Sequence, residues 1–277
     1  MIVERAPAKI NLALHVRRRR PDGYHDLETL FAFACEGDTV SLTPADRWSL
    51  AVTGPFGEAL SAESDWDAGN LVVRAVDAFA AAFVVPPQSI VLDKHLPVAS
   101  GIGGGSADAA ATLRALARLA GIPSDEPHLL DIAAGLGADV PACLLGHTSF
   151  GTGAGEVLEA VGGLSGTPLL LVNPGVAIST AAVFKRWDGV DRGPLAAGEL
   201  LDRARAGRND LAPAARMLAP VIGEVEEMLA DARGVLLSRM SGSGATCFAL
   251  FDSEGDRDAA AAPARNRGWW TLASRLA

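Results

Sequence analysis

Apolar and polar residues alternate from the start of the chain. Ile10, Leu12, Leu14 and Val16 interleave with Lys9, Asn11, Ala13 and His15, a period of two that predicts a half-buried strand. The same period puts Lys9 and Asn11 on one face, within reach of a common site. Pro21-Asp22-Gly23 is a turn signal, with Leu27 to Ala34 as the returning strand. Thr39 to Thr43 and Trp48 to Thr53 read as two further short strands. From Asn70 the period changes. Leu71, Ala75, Phe79 and Phe83, with Val72, Val76 and Ala80, form one helical stripe that Pro86-Pro87 ends. Ser89 to Leu92 is a strand. Ser106 to Ala120 is a helix stopped by Gly121 and Pro123, and Ser124 caps a second helix running to about Gly135. Thr148 to Gly155, rich in glycine, closes the first half.

The second half reads Leu169 to Val172 as strand, with helices over Ser179 to Trp187 and Pro194 to Ala206. Pro213 to Arg233 is helical with a break around Pro220. Val235 to Arg239, the turn Ser241-Gly-Ser-Gly244 and Thr246 to Phe251 form a hairpin, followed by a helix through Ala264 and a strand from Trp269. Reduced to strands and helical layers this is β-α-β-β-α-β, a split βαβ pattern. Two fused α+β domains dividing near residue 160 are expected.

Length and composition suit such a chain: 277 residues, 49% hydrophobic and 21% charged, enough for a buried core in one or two domains. The net charge of −9 argues against a general binder of nucleic acid or anionic membrane, whose footprint would be basic. The one basic run, Arg17 to Arg20, reads as a solvated hairpin end. No apolar run is long enough to span a bilayer, and the N-terminus lacks a signal-peptide core. Cys35, Cys143 and Cys247 stand far apart in no metal-ligand spacing, and read as buried thiols of a reducing cytoplasm.

The candidate chemistry centres on Leu96-Pro-Val-Ala-Ser-Gly-Ile-Gly-Gly-Gly-Ser-Ala-Asp108, a glycine loop between strand and helix. Such a loop lets backbone N–H groups close on an anion, and the helix N-terminus adds its own donors. Phosphate is the guest this geometry suits. A Walker loop would need Lys where Ser106 stands, and a dinucleotide fingerprint would need Gly or Ala there. A ligand-free tight connection is the alternative. Asp108, in the first helical turn, complements the macrodipole. Asp139, between a helix stop and a proline, reads locally as a cap or turn former. Tyr24 and His25 sit just past a turn, where a scaffold can present them, although His25 alone reads as a surface histidine.

Three segments taken together resemble the motifs of the GHMP small-molecule kinases, a superfamily that includes galactokinase, homoserine kinase and mevalonate kinase. They are Pro7-Ala-Lys-Ile-Asn-Leu-Ala-Leu-His-Val16, the glycine loop, and Ser238-Arg-Met-Ser-Gly-Ser-Gly-Ala-Thr-Cys247. Arg19-Arg-Pro-Asp-Gly-Tyr-His25, Gly69-Asn-Leu71, Gly135-Leu-Gly-Ala-Asp-Val-Pro141 and Asn209-Asp-Leu211 narrow the resemblance to members whose acceptor is a cytidine diphosphate-linked polyol.

The resemblance implies an α+β, two-domain GHMP kinase fold. Residues 1–160 would form an N-terminal, ribosomal-protein-like ATP-binding domain, and residues 161–277 a C-terminal ferredoxin-like (split βαβ) domain. It further implies that the loop Pro97, Val98, Ala99, Ser100, Gly101, Ile102, Gly103, Gly104, Gly105 and Ser106 cradles the phosphates of ATP, with Asn70, Leu71 and Lys94 around the adenosine. Asp139 matches the carboxylate that accepts the acceptor's hydroxyl proton, and Lys9 matches its cationic partner. An ammonium beside the carboxylate would hold it ionised and help neutralise the transferred phosphoryl. Tyr24 and Phe184 match an aromatic sandwich for cytosine, and His25 a hydrogen bond to the base. Asn11 and Thr180 line the same region, and the turn Ser241 to Gly244 brings up a second glycine-rich backbone. Mg2+ is expected with the nucleotide, its protein ligands unassigned, although Ser106 and Asp108 are nearest by position. The expected protein is cytoplasmic, a monomer or weak homodimer, without nucleic-acid or membrane partners. Two rivals stay open: a superfamily kinase for a sugar, homoserine or a mevalonate derivative, and a non-catalytic nucleotide-binding protein on the same fold.

Overall fold

The computed structural model describes residues 1–60, 66, 69–123 and 126–277, so the expected cap Ser124 lies outside the described residues. Packing divides the chain into two compact units that interleave in sequence. Unit 1 comprises residues 1–8, 36–98 and 103–146; unit 2 comprises 9–35, 99–102 and 147–277. They are thus distinct in kind from the sequence segments 1–160 and 161–277. Two long strands, β1 (Ile2–Arg19) and β2 (His25–Pro44), run through both units and pair with each other. The turn between them is the expected one: Gly23 takes φ +90°, and the Tyr24 N–H donates to Asp22 Oδ1 at 3.0 Å.

The expected separate strand Thr39 to Thr43 is instead the end of β2. Gly37 does not break the strand. A Cβ there would lie 2.0 Å from the Ala6 carbonyl oxygen, so glycine is what allows β1 to pass alongside.

In unit 1, β2 pairs antiparallel with β4 (Gln88–Asp93) in the register Thr39↔Asp93 to Pro44↔Gln88. Against the other edge of β4 lies β3 (Ser49–Thr53), parallel. Helices α1 (Leu71–Ala82), α2 (Gly104–Ala120), α3 (Pro127–Leu136) and α4 (Val140–Leu145) pack on one another. The predicted stripe of α1 is buried at Val72, Ala75, Val76 and Phe79, with Val73 added and Ala80 left exposed. On α2 the run Ala107 to Leu113 is buried throughout, its small side chains admitting close neighbours. Helix α4 is a correction, because Val140 and Pro141 begin a helix where a loop is expected; proline suits the first turn, which needs no N–H partner.

In unit 2 the Leu27–Phe31 part of β2 pairs with β5 (Ser149–Gly153), which pairs in turn with β6 (Val157–Ala160). The glycine-rich stretch is therefore strand. Gly151 serves it by leaving room for Phe31, whose ring would lie 2.8 Å from a Cβ there.

The four-stranded sheet has the order β10-β7-β9-β8, built from β7 (Pro168–Asn173), β8 (Val235–Met240), β9 (Cys247–Phe251) and β10 (Trp270–Arg275). Between β7 and β8 run α5 (Thr180–Lys185), α6 (Leu200–Ala206), α7 (Ala212–Leu218) and α8 (Val221–Ala230), and α9 (Glu254–Asn266) links β9 to β10. This is the split βαβ arrangement expected. Helix α6 starts later than Pro194, since Gly198 at φ +123° leaves the helical region. The core joins Leu170, Val172 and Phe251 to Ile222, Val225 and Leu229 of α8 and to Ala261 and Ala264 of α9. Cys143 and Cys247 are buried as expected, whereas Cys35 is only half-buried; none of the three forms a disulfide. Among the described residues no helix is long and apolar enough to cross a membrane.

Candidate active site

The exit of the glycine loop lies in unit 1. Gly103 is the N-cap of α2 in a left-handed conformation, φ +64°, and no side chain caps the helix. A long helix that opens on glycines without a side-chain cap leaves its backbone donors suited to an anion. The cradle is tight from behind: a Cβ on Gly104 would lie 3.0 Å from Lys94 Nζ, and one on Gly105 3.4 Å from Leu71 Cδ1. Leu71 opens α1, and Asn70 caps it by accepting from the Val72 N–H at 2.9 Å.

Lys94 is turned into the fold. It is 1% exposed, and its ammonium donates to Asp38 Oδ2 and, at 2.6 Å, to Asp108 Oδ2. Its backbone is engaged as well, N–H to the Thr53 carbonyl at 2.9 Å and C=O from the Phe56 N–H at 3.1 Å. Asp38 Oδ1 accepts from the N–H groups of His95 (2.5 Å) and Leu96 (2.8 Å). Burial works against the Lys94 ammonium, but the carboxylates of Asp108 and Asp38 outweigh it and raise its pKa. Burial pushes Asp108 up to about 7 against the pull of Lys94, with Asp38 adding to the rise. Asp108 is therefore part of a buried ion cluster rather than a dipole complement at the surface. Sequence reasoning missed Asp38 altogether. The one signal was its place two residues before Val40, in phase with the buried positions Val40 and Leu42.

Asp139 occupies the N-cap position of α4 yet makes no side-chain capping bond, so the local reading of it as a cap does not account for its carboxylate.

Unit 2 holds Lys9. Its ammonium donates to Asn11 Oδ1 at 3.0 Å and lies 5.2 Å from the centroid of the Phe31 ring. Asn11 Nδ2 donates to Thr29 Oγ1 at 2.8 Å, and that hydroxyl donates onward to the Ala13 carbonyl at 2.8 Å. The shared strand face predicted for Lys9 and Asn11 is thus realised. Loop residues 99–102 join this group. The Lys9 N–H donates to the Ile102 carbonyl (3.0 Å), Ser241 Oγ donates to the Gly101 carbonyl (3.0 Å), and the Thr246 N–H donates to the Ser100 carbonyl (3.1 Å). Ser241 Oγ also accepts from the Asn11 N–H at 3.2 Å. Behind the second glycine turn, Asn209 Nδ2 donates to the carbonyls of Met240 and Gly242, each at 2.8 Å. This is a supporting role for the Asn-Asp-Leu segment that the sequence did not reveal.

The aromatic residues also lie in unit 2. Tyr24 is 62% exposed beside its turn. The rings of His25 and Phe184 are 4.8 Å apart at 33°, and Trp187 meets His25 edge-on at 5.6 Å. Burial, aided by the charge of Arg19, lowers the His25 pKa, which favours the neutral ring. Thr180 and Ser243 share a hydroxyl–hydroxyl bond of 2.9 Å.

Comparison with known proteins fits this inventory. Residues 70–147 match the family model described as GHMP kinases N terminal domain, and residues 193–268 match GHMP kinases C terminal. The chain is 58% identical over 99% of its length to the 4-diphosphocytidyl-2-C-methyl-D-erythritol kinase of Rhizorhabdus wittichii, covering 94% of that protein. It is 51% identical over 99% of its length to the protein of the same name from Novosphingobium aromaticivorans, covering 92%. A crystal structure of 4-(cytidine 5'-diphospho)-2C-methyl-D-erythritol kinase superposes with a TM-score of 0.79 at 34% identity, covering 99% of both chains.

Proposed function

Because the chain belongs to the 4-diphosphocytidyl-2-C-methyl-D-erythritol kinases, a branch of the GHMP kinases, we propose how its residues divide the labour of that reaction. The chain is an ATP-dependent phosphotransferase with an alcohol acceptor, acting in the non-mevalonate pathway to isoprenoid precursors. The oxygen of the acceptor's C2 hydroxyl attacks the γ-phosphorus of ATP, the bond from that phosphorus to the bridging oxygen breaks, and ADP leaves.

In our reading Asp139 orients the C2 hydroxyl and takes its proton as the phosphoryl group is transferred. A carboxylate is a weak base for an alcohol. In a loose transition state, however, the nucleophile needs mainly orientation and late proton removal. Lys9 supplies positive charge to the transferred group, its ammonium aimed by Asn11. The loop from Pro97 to Ser106 binds the nucleotide phosphates, and Asn70 and Leu71 border the adenosine. Tyr24 and Phe184 stack on cytosine while neutral His25 hydrogen-bonds its edge, with Asn11 and Thr180 on the same acceptor. The observation that carries the phosphate assignment is the uncapped, glycine-opened N-terminus of α2.

Mg2+, as in phosphoryl transfer generally, would arrive with the nucleotide and would help neutralise the charge of its phosphates. Among the described residues no group of three His, Cys, Asp or Glu side chains could hold a metal ion. Asp108, near the loop by position, is occupied by Lys94, so we assign no protein ligand to the metal. We further propose a boundary between two domains near residue 160, between the two matched segments, a cytoplasmic location, and a monomer or weak homodimer.

A coupled ADP-release assay with Mg-ATP and 4-diphosphocytidyl-2-C-methyl-D-erythritol tests the reading. Turnover that requires this acceptor and disappears in Asp139→Asn supports it. Turnover with homoserine or mevalonate in its place would refute the cytidine assignment, and silence with every acceptor would favour a non-catalytic binding protein.

A further inference from the structure

The buried trio Asp38, Lys94 and Asp108 takes no part in that division of labour, yet three separate stretches of unit 1 meet in it. Asp38 comes from β2, Lys94 directly follows β4, and Asp108 lies in the second turn of α2. The carboxylate of Asp38 grips the backbone at His95 and Leu96, immediately before the loop; Asp108 sits immediately after it. The two ends of the stretch 97–106 are thereby fastened to one ammonium. A Cβ on Gly104 would lie 3.0 Å from that ammonium and would press on it.

We infer that Lys94, clamped between Asp38 and Asp108, is a positioning residue that fixes the phosphate-binding loop, and not a contact to the adenosine. The inference rests on the loop's being the phosphate site. Three further observations support it. All three charged groups are at most 2% exposed, so none is available to a nucleoside without dismantling the cluster. The backbone N–H and C=O of Lys94 are bonded within the fold. Asp108 grips the ammonium through Oδ2 at 2.6 Å and is itself anchored, its backbone carbonyl accepting from the Thr112 hydroxyl at 2.8 Å. The rise of the Asp108 pKa to about 7 reflects the same crowding of two acids around one cation. Fixing a loop in advance matters because displacements of about 1 Å in a phosphoryl-transfer site can cost two orders of magnitude in rate.

The test separates phosphate from nucleoside. Binding of ATP, inorganic tripolyphosphate and adenosine is measured by titration calorimetry on wild type, Lys94→Met and Asp108→Asn. Positioning of the loop predicts that both variants lose affinity for ATP and tripolyphosphate in parallel, by about tenfold, by analogy with the loss seen when the outer partners of metal ligands are removed. Affinity for adenosine stays at the wild-type level. Lys94→Met leaves two acids facing each other and risks misfolding. Asp108→Asn keeps the shape and the Lys94–Asp38 pair, so the outcome can be read from it alone. Wild-type affinity for tripolyphosphate in the folded variants, or a loss confined to adenosine, would overturn the inference. Failure of the wild-type protein itself to bind tripolyphosphate would instead refute the phosphate assignment of the loop.

Discussion

The Lys9 ammonium and the Asn11 amide oxygen stand 3.0 Å apart on one face of β1, and the other end of the Asn11 amide is anchored on Thr29. An ammonium on a flexible four-carbon stem is thereby given a fixed aim. Asn11→Ala should lower kcat by up to about 10² through misplacement of Lys9. Thr29 keeps its bond to the Ala13 carbonyl, so the loss of folding stability should stay within about 1–3 kcal/mol. Steady-state kinetics paired with urea unfolding would check both. Unchanged kcat would show that Lys9 needs no such guide.

Asp139→Asn should reduce kcat by about 10²–10⁴, the usual worth of general-base assistance. Helix α4 does not use the Asp139 side chain as a cap, so the variant should still fold. ATP affinity should stay near normal. A variant that keeps wild-type kcat would remove Asp139 from the chemistry.

Tyr24 is exposed, is the only tyrosine in the chain, and contributes a flat ring at the end of a turn. Tyr24→Ala should weaken acceptor binding by about 1–3 kcal/mol, the worth of base–aromatic stacking. Stability and ATP affinity should be spared. Competition with CDP and CMP would reveal the loss directly, and undiminished cytidine affinity would send the stacking role elsewhere.

His15 offers a test by pH. Its Nδ1 lies 3.0 Å from the Gly193 carbonyl, and its Nε2 accepts from the Arg208 N–H at 3.2 Å, so the ring is neutral with the proton on Nδ1. Burial lowers its pKa; the bond to Gly193 opposes that shift, and the charge of Arg208 adds to it. Between the lowered folded value and 6.5 the unfolded chain binds more protons, so stability present above pH 6.5 is lost as pH falls toward the folded value. The slope cannot exceed about 1.4 kcal/mol per pH unit from one group. Urea unfolding from pH 7.5 to 5 should show wild type losing more stability than His15→Gln. Equal losses would exclude His15 as the source.

Much of this was legible in the residues. The period-two run through Lys9 to Val16, the turn at Gly23, the stripe of α1 and the split βαβ order all carry strong local signals that tertiary packing reinforces. The resemblance of three dispersed segments pointed to the kinase family where no single motif could. What stayed hidden depends on neighbours distant in sequence. Gly37 and Gly151 look like breaks, yet both lie within strands because Ala6 and Phe31 fill the space a side chain would take. Lys94 enters the sequence reading only as a position around the adenosine by resemblance, because Asp38, which encloses it, lies 56 residues earlier. Asn209 reads as part of a motif without a task until the carbonyls of Met240 and Gly242 arrive in front of it.

The two glycine turns of unit 2 are built through each other. The space a Cβ would need on Gly101 is taken by the carbonyl oxygens of Ser241 and Gly244 at 2.6 Å, and the space on Gly242 by the carbonyl oxygen of Gly101 at 2.7 Å. Neither turn has a shape of its own that could be copied alone. Anyone grafting the glycine loop of a related protein into this chain must transplant both turns as a single piece.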